Sequence, residues 1–170
     1  MRWSKLKKTA ESFLADTLKG RVQYYQTRYG RGVSTIQVRA WITCDKKEIT
    51  NFSTVQWWWK YRKAARQIRT ATPCDKDQAD LQAKHQLAEK GCYPCDHFTA
   101  ALREYITLSI DAALQSDNSL ILALAMFDRR FGKRRLVQLR ENPPKHPLVN
   151  KFFRLRCEAE NILIDDDSAR

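Results

Sequence analysis

The hydrophobic periodicity of the chain changes near residue 53, and this change constrains the fold more than any other feature. From Ser34 to Cys44, apolar and polar residues alternate with period two, which indicates a half-buried strand. Beyond Ser53, apolar residues recur at every third or fourth position, which indicates amphipathic helices. The sequence therefore predicts an α+β fold in which the sheet precedes most of the helices.

The segment before the change predicts an N-terminal helix and three strands. Apolar spacing predicts the helix from Ser4 to Leu18, with Gly20 as its stop. Two turn signals, 30–32 and 45–47, separate the predicted strands, which cover residues 21–29, 34–44 and 48–52. Short turns of this kind join neighbouring strands, so we expect a three-stranded antiparallel sheet.

The rest of the chain predicts a C-terminal helical bundle packed on the sheet. Its helices are expected at residues 54–70, 75–90, 94–114, 120–131 and 133–140, with a last one opened by Pro147. We predict a single domain over residues 1–170, with the sheet part in 1–53, the helical part in 54–164 and a frayed tail at 165–170.

Composition excludes several classes of protein. A hydrophobic content of 43% argues against a largely disordered chain. The longest apolar run, from Leu120 to Phe127, is too short to cross a bilayer, and no apolar stretch after the N-terminus resembles a signal peptide. With no export signal expected, the odd number of five cysteines points to reduced thiols in a cytoplasmic protein. The short apolar run predicts no membrane partner.

The charge is positive and unevenly distributed. The formal net charge is +12, with basic blocks at 1–40, 57–73 and 120–156 and acidic blocks at 74–119 and 157–170. Basic fields favour polyanions, so nucleic acid is the first candidate partner, although a solvated basic surface has the same composition.

The densest basic cluster directly follows the apolar run. We name its members the loop cations: Arg129, Arg130, Lys133, Arg134 and Arg135. If the buried helix continues to Phe131, several of them lie near its C-terminal end, where cations complement the helix dipole. The surplus needs an anion: Asp128, Glu141 and the acidic block at 74–119 are internal candidates, and phosphate is the external one. Arg134 and Arg135 have the geometry to clamp phosphate bidentately.

A second candidate site is the segment QWWWKYRKAARQIR, residues 56–69. Successive helical residues turn by about 100°, so Trp57, Trp58 and Trp59 cannot share one face. Aromatic rings beside cations form stacking platforms for single-stranded nucleic acid, and the flanking cations here are Arg62, Lys63, Arg66 and Arg69. Tyr24 and Tyr29 are further stacking candidates. Tryptophan also anchors cores and protein interfaces, so packing and a homodimer interface are alternatives.

The segment GCYPCDHF, residues 91–98, places two cysteines two residues apart. Free thiols are the interpretation that the sequence favours. Zinc is a second interpretation, which needs two further ligands from Cys74, His85, His97 or Cys157, and a thiol redox pair is a third. No cofactor or metal is predicted.

The sequence carries no diagnostic catalytic signature. The nearest approach to a metal-dependent nuclease site is Asp45 and Glu48 around a turn with Lys46 and Lys47, a composition that is common in hairpin turns. We therefore predict a non-catalytic nucleic-acid-binding or accessory protein. A protein-interaction module or homodimer is the alternative, and a nuclease is the third candidate.

Four segments of the chain together resemble a known family. They are MRWSKLKK, WITCDKKEITNF, LALAMFDRRFGKRRL and LRCEAE, spread from one end to the other. This pattern is similar to a family of small basic bacterial hypothetical proteins of unassigned function. The resemblance implies a bacterial cytosolic protein, and it carries over no catalytic or ligand-binding residues.

Overall fold

The structure, a computed structural model, describes residues 1–29, 37–71 and 75–164. The strands are β1 Val22–Tyr29, β2 Gln37–Cys44 and β3 Lys47–Ser53. The helices are α1 Trp3–Ser12, α2 Thr54–Ala71, α3 Lys76–Glu89, α4 Cys95–Tyr105, α5 Ile110–Leu114, α6 Ser119–Met126, α7 Lys133–Arg140 and α8 Pro147–Ala159, and a 3₁₀ turn covers Asp16–Leu18. This order confirms the predicted α+β class.

The sheet is three-stranded and antiparallel, in the order β1-β2-β3. A two-residue turn joins β2 to β3, and both of its residues, Asp45 and Lys46, have positive φ angles of 50° and 66°. Left-handed conformations at both central positions give the turn the twist of the flanking strands. The register shifts between Ile42 and Thr43, where the ladder carries a bulge. The first turn signal, at 30–32, and the start of the second predicted strand, at 34–36, lie outside the described residues.

The backbone divides into two compact units, Tyr24–Ala100 and Met1–Gln23 with the chain from Ala101 onward. In the Tyr24–Ala100 unit, Ala40 and Ile42 bury the inner face of β2, as the alternation predicts. Phe52 of β3 stacks on Phe98 of α4 at a ring distance of 4.2 Å, which fixes the start of α4 on the sheet. Burial of a Phe side chain contributes roughly 1.5–3 kcal/mol to folding. The prediction of a single domain stays a prediction.

The other unit is built around α6, which is apolar on all sides and is therefore surrounded. Helix α8 packs against it, and Phe127, which follows α6, stacks on Phe152 of α8 at 4.3 Å. Pro147 occupies the first turn of α8, as predicted, because its missing N–H has no helical partner there.

Three predicted helices are too long, and each ends early for a physical reason. The first ends at Ser12 rather than Leu18, and the buried helix ends at Met126 rather than Phe131. Both stop because the chain pairs with itself: Ala15 N donates to Phe127 O at 2.9 Å and Arg129 N donates to Phe13 O at 2.8 Å. Such long-range pairing leaves no local signal in the sequence.

The third overlong helix, predicted at 94–114, is divided into α4 and α5. Ser109 interrupts it by capping α5, since its hydroxyl accepts a hydrogen bond from Ala112 N at 3.2 Å. The remaining helices, α2, α3, α7 and α8, lie where the spacing predicts them. The proline expected to stop α2 and the tail at 165–170 lie outside the described residues. None of the helices described here is both long and apolar enough to span a bilayer.

Candidate nucleic-acid interface

Helix α2 is held in place by its inner face. Ala65 and Ile68 of α2 pack against Ala79 and Ala83 of α3, and small side chains let the two helices approach closely. Tyr61 packs against this cluster from α2. Burial and then a hydrogen bond with Asp80 of α3 raise the pKa of the Tyr61 hydroxyl above its ordinary value. Helix α3 therefore fixes which side of α2 points outward.

The outward side carries a continuous set of aromatic and cationic residues. At 100° per residue they cover an arc of about 140° on the helix, opposite the packed face. All are exposed. We name this set the α2 face, and its members are Trp58, Trp59, Arg62, Lys63, Arg66 and Arg69.

The three consecutive tryptophans separate as the helical geometry requires. Trp57 is half-buried on the inner side and stacks on Tyr61 with ring centroids 5.2 Å apart. Trp58 and Trp59 are 42% and 63% exposed and meet edge to face at 5.1 Å. Arg62 lies 4.8 Å over the Trp58 ring, which orients its guanidinium beside the exposed indoles.

The charge of α2 is not cancelled locally. The helix contains five Lys or Arg residues and no acidic residue. Within residues 1–29, 37–71 and 75–164, no salt bridge involves Lys63, Arg66 or Arg69. Arg69 lies in the last turn, where it also complements the helix dipole. Four of the five cations and both exposed indoles thus lie together on one side of a single rigid helix.

The loop cations behave differently, because most of them have partners in their own unit. Arg130 pairs with Asp128 and Arg135 with Asp111, each at 2.7 Å. Lys133 Nζ donates to the carbonyl of Glu160 at 2.9 Å. Internal acids therefore neutralise two of the loop cations, and one of those acids belongs to the acidic block at 74–119. Arg134 is exposed and makes no hydrogen bond or ion pair with the described residues.

The expected helix-dipole role of the loop cations is wrong. Helix α6 ends at Met126, so none of them lies in its last turn. Lys133, Arg134 and Arg135 instead form the first turn of α7, where the dipole disfavours cations. Arg129 is exposed and its charge contributes to lowering the pKa of Asp16, behind the larger effects of the hydrogen bond and charge of Lys19.

A buried network explains why arginines directly follow the apolar helix. The Asp128 side chain is fully buried, accepts a hydrogen bond from Tyr105 Oη at 2.5 Å and is paired with the Arg130 guanidinium. Arg130 also lies 4.2 Å over the Phe13 ring and donates to Leu108 O at 2.9 Å.

Arg156 of α8 supplies the rest of this network. It is buried and donates to the carbonyl of Asp128 at 3.0 Å, while its Nε binds Glu160 at 3.0 Å. The sequence singled out Asp128 only as one of several possible counter-charges, and it missed Tyr105 and Arg156. No local pattern could have linked them to Asp128, since Tyr105 lies 23 and Arg156 lies 28 residues from it in the chain.

The two tyrosines suggested for stacking differ in their environments. Tyr24 is 1% exposed, so that suggestion is wrong: its ring belongs to the core. Tyr29, the last residue of β1, is 49% exposed.

The two cysteines of GCYPCDHF have different neighbours. Cys92 is half-buried with Lys60 Nζ 3.6 Å from its sulfur, whereas Cys95 is buried beside Gln26 Nε2 at 3.4 Å. Both are free thiols, like Cys44 and Cys157. Within the described residues no three His, Cys, Asp or Glu side chains are grouped to hold a metal ion, and Cys74, a suggested zinc ligand, lies outside them.

The residues suggested for a nuclease centre form a hairpin instead. Glu48 pairs with Arg39 across the strands and accepts a hydrogen bond from Asn51 at 3.0 Å. Asp45 and Lys46 are the turn residues themselves.

Comparison with known proteins yields one match. No curated protein and no solved structure matches the chain. A family model, the SF0329 protein family, matches residues 2–157, nearly the whole chain. Two of the four segments that suggested a family of unassigned function lie within this range and the two terminal ones overlap its ends, and the family is uncharacterised. The chain belongs to the SF0329 protein family.

Proposed function

We propose that this protein binds nucleic acid without catalysis, through the α2 face. The observation that carries the proposal is the combination of two exposed indoles with four cations that have no acidic partner among the described residues. Phosphates bind the cations, and bases stack on the indoles. Because α3 fixes the orientation of α2, the face is preorganised and loses little conformational entropy on binding.

Two loop cations extend the proposal. Arg129 and Arg134 are exposed and have no salt bridge to the described residues, so they are additional candidate phosphate ligands. Arg130 is not included because its guanidinium forms a salt bridge with Asp128. Arg135 forms a salt bridge with Asp111, so a phosphate clamp made by Arg134 and Arg135 requires that Asp111 be displaced. The Arg135–Asp111 pair is exposed on both sides, so its loss costs at most about 1 kcal/mol.

The test is a salt titration of affinity, measured by fluorescence anisotropy with labelled RNA and DNA. The double variant Lys63→Ala, Arg66→Ala is expected to bind all sequences more weakly. The slope of log affinity against the logarithm of salt concentration should become shallower by about 1.4. Each phosphate contact contributes about 0.7 to the slope for a single strand, and the variant removes two cations.

The matched control is Lys145→Ala, Lys151→Ala, which removes the same charge from exposed positions far along the chain. If binding depends only on net charge, the two double variants behave alike, and the α2 face is not the site. If wild-type protein binds neither RNA nor DNA at low salt, the proposed function is wrong.

The second candidate function is a protein interface anchored by Trp58 and Trp59, which the edge-to-face pair of exposed indoles favours. An aromatic interface persists at moderate salt, whereas binding to a polyanion weakens steeply. The same titration therefore distinguishes the two.

A further inference from the structure

A cavity lies beside the first turns of α2, within the unit Tyr24–Ala100. Its volume is about 240 Å³. The walls come from β3, from the start of α2 and from the segment before α4. The residues that matter to its chemistry are Asn51, Gln56, Trp57, Lys60, Cys92 and Tyr93.

These side chains combine three recognition chemistries. Trp57 and Tyr93 supply aromatic surface for a flat ring. The Gln56 amide makes no side-chain hydrogen bond to the described residues, so a donor and an acceptor are available for a base edge. Among the described residues, the Lys60 ammonium donates a hydrogen bond to the sulfur of Cys92, at 3.6 Å, and forms no salt bridge, so it retains donors for a phosphate oxygen.

The cavity adjoins the α2 face through helical spacing. Gln56, Lys60 and Lys63 are separated by four and three positions, so they form one row along the helix, and Trp59 lies next to it. The first two belong to the cavity and Lys63 belongs to the α2 face. A strand that lies on the face therefore passes the cavity opening without leaving α2.

We propose that this cavity receives an unpaired base of the bound nucleic acid, and that the protein therefore prefers single strands. The inference rests on the proposed function and names its substrate class. The base inserts beside Trp57, Gln56 meets its edge and Lys60 holds the adjoining phosphate. A duplex offers no such base unless a pair opens, which costs a few kcal/mol.

The first experiment compares oligothymidylate with a duplex of the same length. Wild-type protein is expected to bind the single strand at least about tenfold more tightly at the same salt concentration, the effect of one stacked base. The cavity variant Gln56→Ala, Lys60→Met should bind the single strand about tenfold more weakly, because it loses the hydrogen bonds to the base edge and to the adjoining phosphate, and the duplex nearly unchanged.

The control Lys63→Met removes one charge from the same row outside the cavity. It should weaken single strand and duplex by the same factor. If the cavity variant also weakens both equally, Lys60 is merely one more phosphate contact and the cavity takes no base.

A second measurement uses Cys92 as a reporter of occupancy. Iodoacetamide modification is read by mass spectrometry on the tryptic peptide that starts at Gly91, where fragmentation separates Cys92 from the buried Cys95. Saturating oligothymidylate is expected to slow modification of Cys92 at least about fivefold, and saturating duplex is expected to leave its rate unchanged.

The outcomes separate the inference from the function on which it rests. Equal affinity for single strand and duplex, or unchanged Cys92 modification under saturating oligothymidylate, overturns the cavity proposal while binding at the α2 face stands. Absence of binding to either ligand overturns the proposed function and the inference together.

Discussion

At the scale of single residues, arginines that belong to the same loop cations lie in different environments. Arg130 neutralises a buried carboxylate, whereas Arg134, four positions later, is exposed. The sequence predicted that the cluster needs anions, and it included Asp128 among them. It could not assign arginines to partners, because the assignment depends on Tyr105 and Phe13, which only the tertiary fold brings to this place.

Replacing Asp128 with Asn is expected to lower the free energy of unfolding by about 3 kcal/mol. The change leaves the Arg130 guanidinium without its counter-charge in a partly buried site. Urea denaturation followed by circular dichroism measures it. The control, Asp111→Asn, breaks the exposed pair with Arg135 and should cost less than about 1 kcal/mol. Equal losses in the two variants would contradict a structural role for Asp128.

Cys157 gives a prediction about pH. Burial raises the pKa of its thiol from 9.0 to about 11, so the folded state keeps the proton over a range in which the unfolded state releases it. Its contribution to stability is full below pH 9 and is lost as the pH rises toward 11. A shift of this size corresponds to a loss of roughly 3 kcal/mol in the free energy of unfolding.

The measurement is urea denaturation of wild type and Cys157→Ala across that alkaline range. The variant has lower absolute stability, since it loses buried volume, so the comparison concerns the dependence on pH. Lys and Tyr ionisation affects both proteins alike. The variant should lose stability less steeply with rising pH, and parallel curves would mean that the folded thiol ionises as freely as the unfolded one.

At the scale of elements, periodicity predicted the helices well and their ends poorly. The 100° step alone separates Trp57 from Trp58 and Trp59, and it places the cations of α2 on the exposed side. The ends of α1 and α6 depend instead on the pairing of Leu14 with Asp128, far apart in the chain. The candidate site on α2 was therefore predictable from sequence, because one helix contains it. The cavity beside α2 was not, because three separate segments line it.

Variants of the three tryptophans should affect nucleic-acid affinity and thermal stability differently. Trp59→Ala removes a 63% exposed ring, so the melting temperature is expected to change little while affinity for single strands falls by about tenfold. Trp57→Ala removes a ring stacked on Tyr61, so it should unfold at lower temperature. Differential scanning fluorimetry and anisotropy on both variants check this. A large stability loss in Trp59→Ala would mean that the exposed ring is a packing residue.

At the scale of the whole molecule, the net charge of +12 does not by itself identify a partner. What matters is where charge is left unmatched. In the unit that contains the loop cations, carboxylates such as Asp128 and Asp111 form salt bridges with two of these cations. On α2 no acidic residue does so. Block charges read from the sequence did not distinguish the basic block at 57–73 from the one at 120–156, whereas the pairing of the described residues does.

We therefore expect a rise in salt concentration to remove bound nucleic acid from the intact protein and to lower the mass of the particle. Protein purified at low salt is expected to carry nucleic acid. This appears as a raised ratio of absorbance at the nucleic-acid maximum to absorbance at the protein maximum, and as excess mass in gel filtration with light scattering. Moderate salt should release that nucleic acid and leave a smaller particle, since affinity that depends on several cation–phosphate contacts falls steeply as the salt concentration rises. A homodimer held by Trp58 and Trp59 predicts the opposite: a particle of constant mass, free of nucleic acid, at both salt concentrations. The variant Trp58→Ala, Trp59→Ala then decides between the two. If the protein is a dimer, the variant has half the mass of the wild type. If the protein is a nucleic-acid-binding monomer, the two have the same mass at moderate salt.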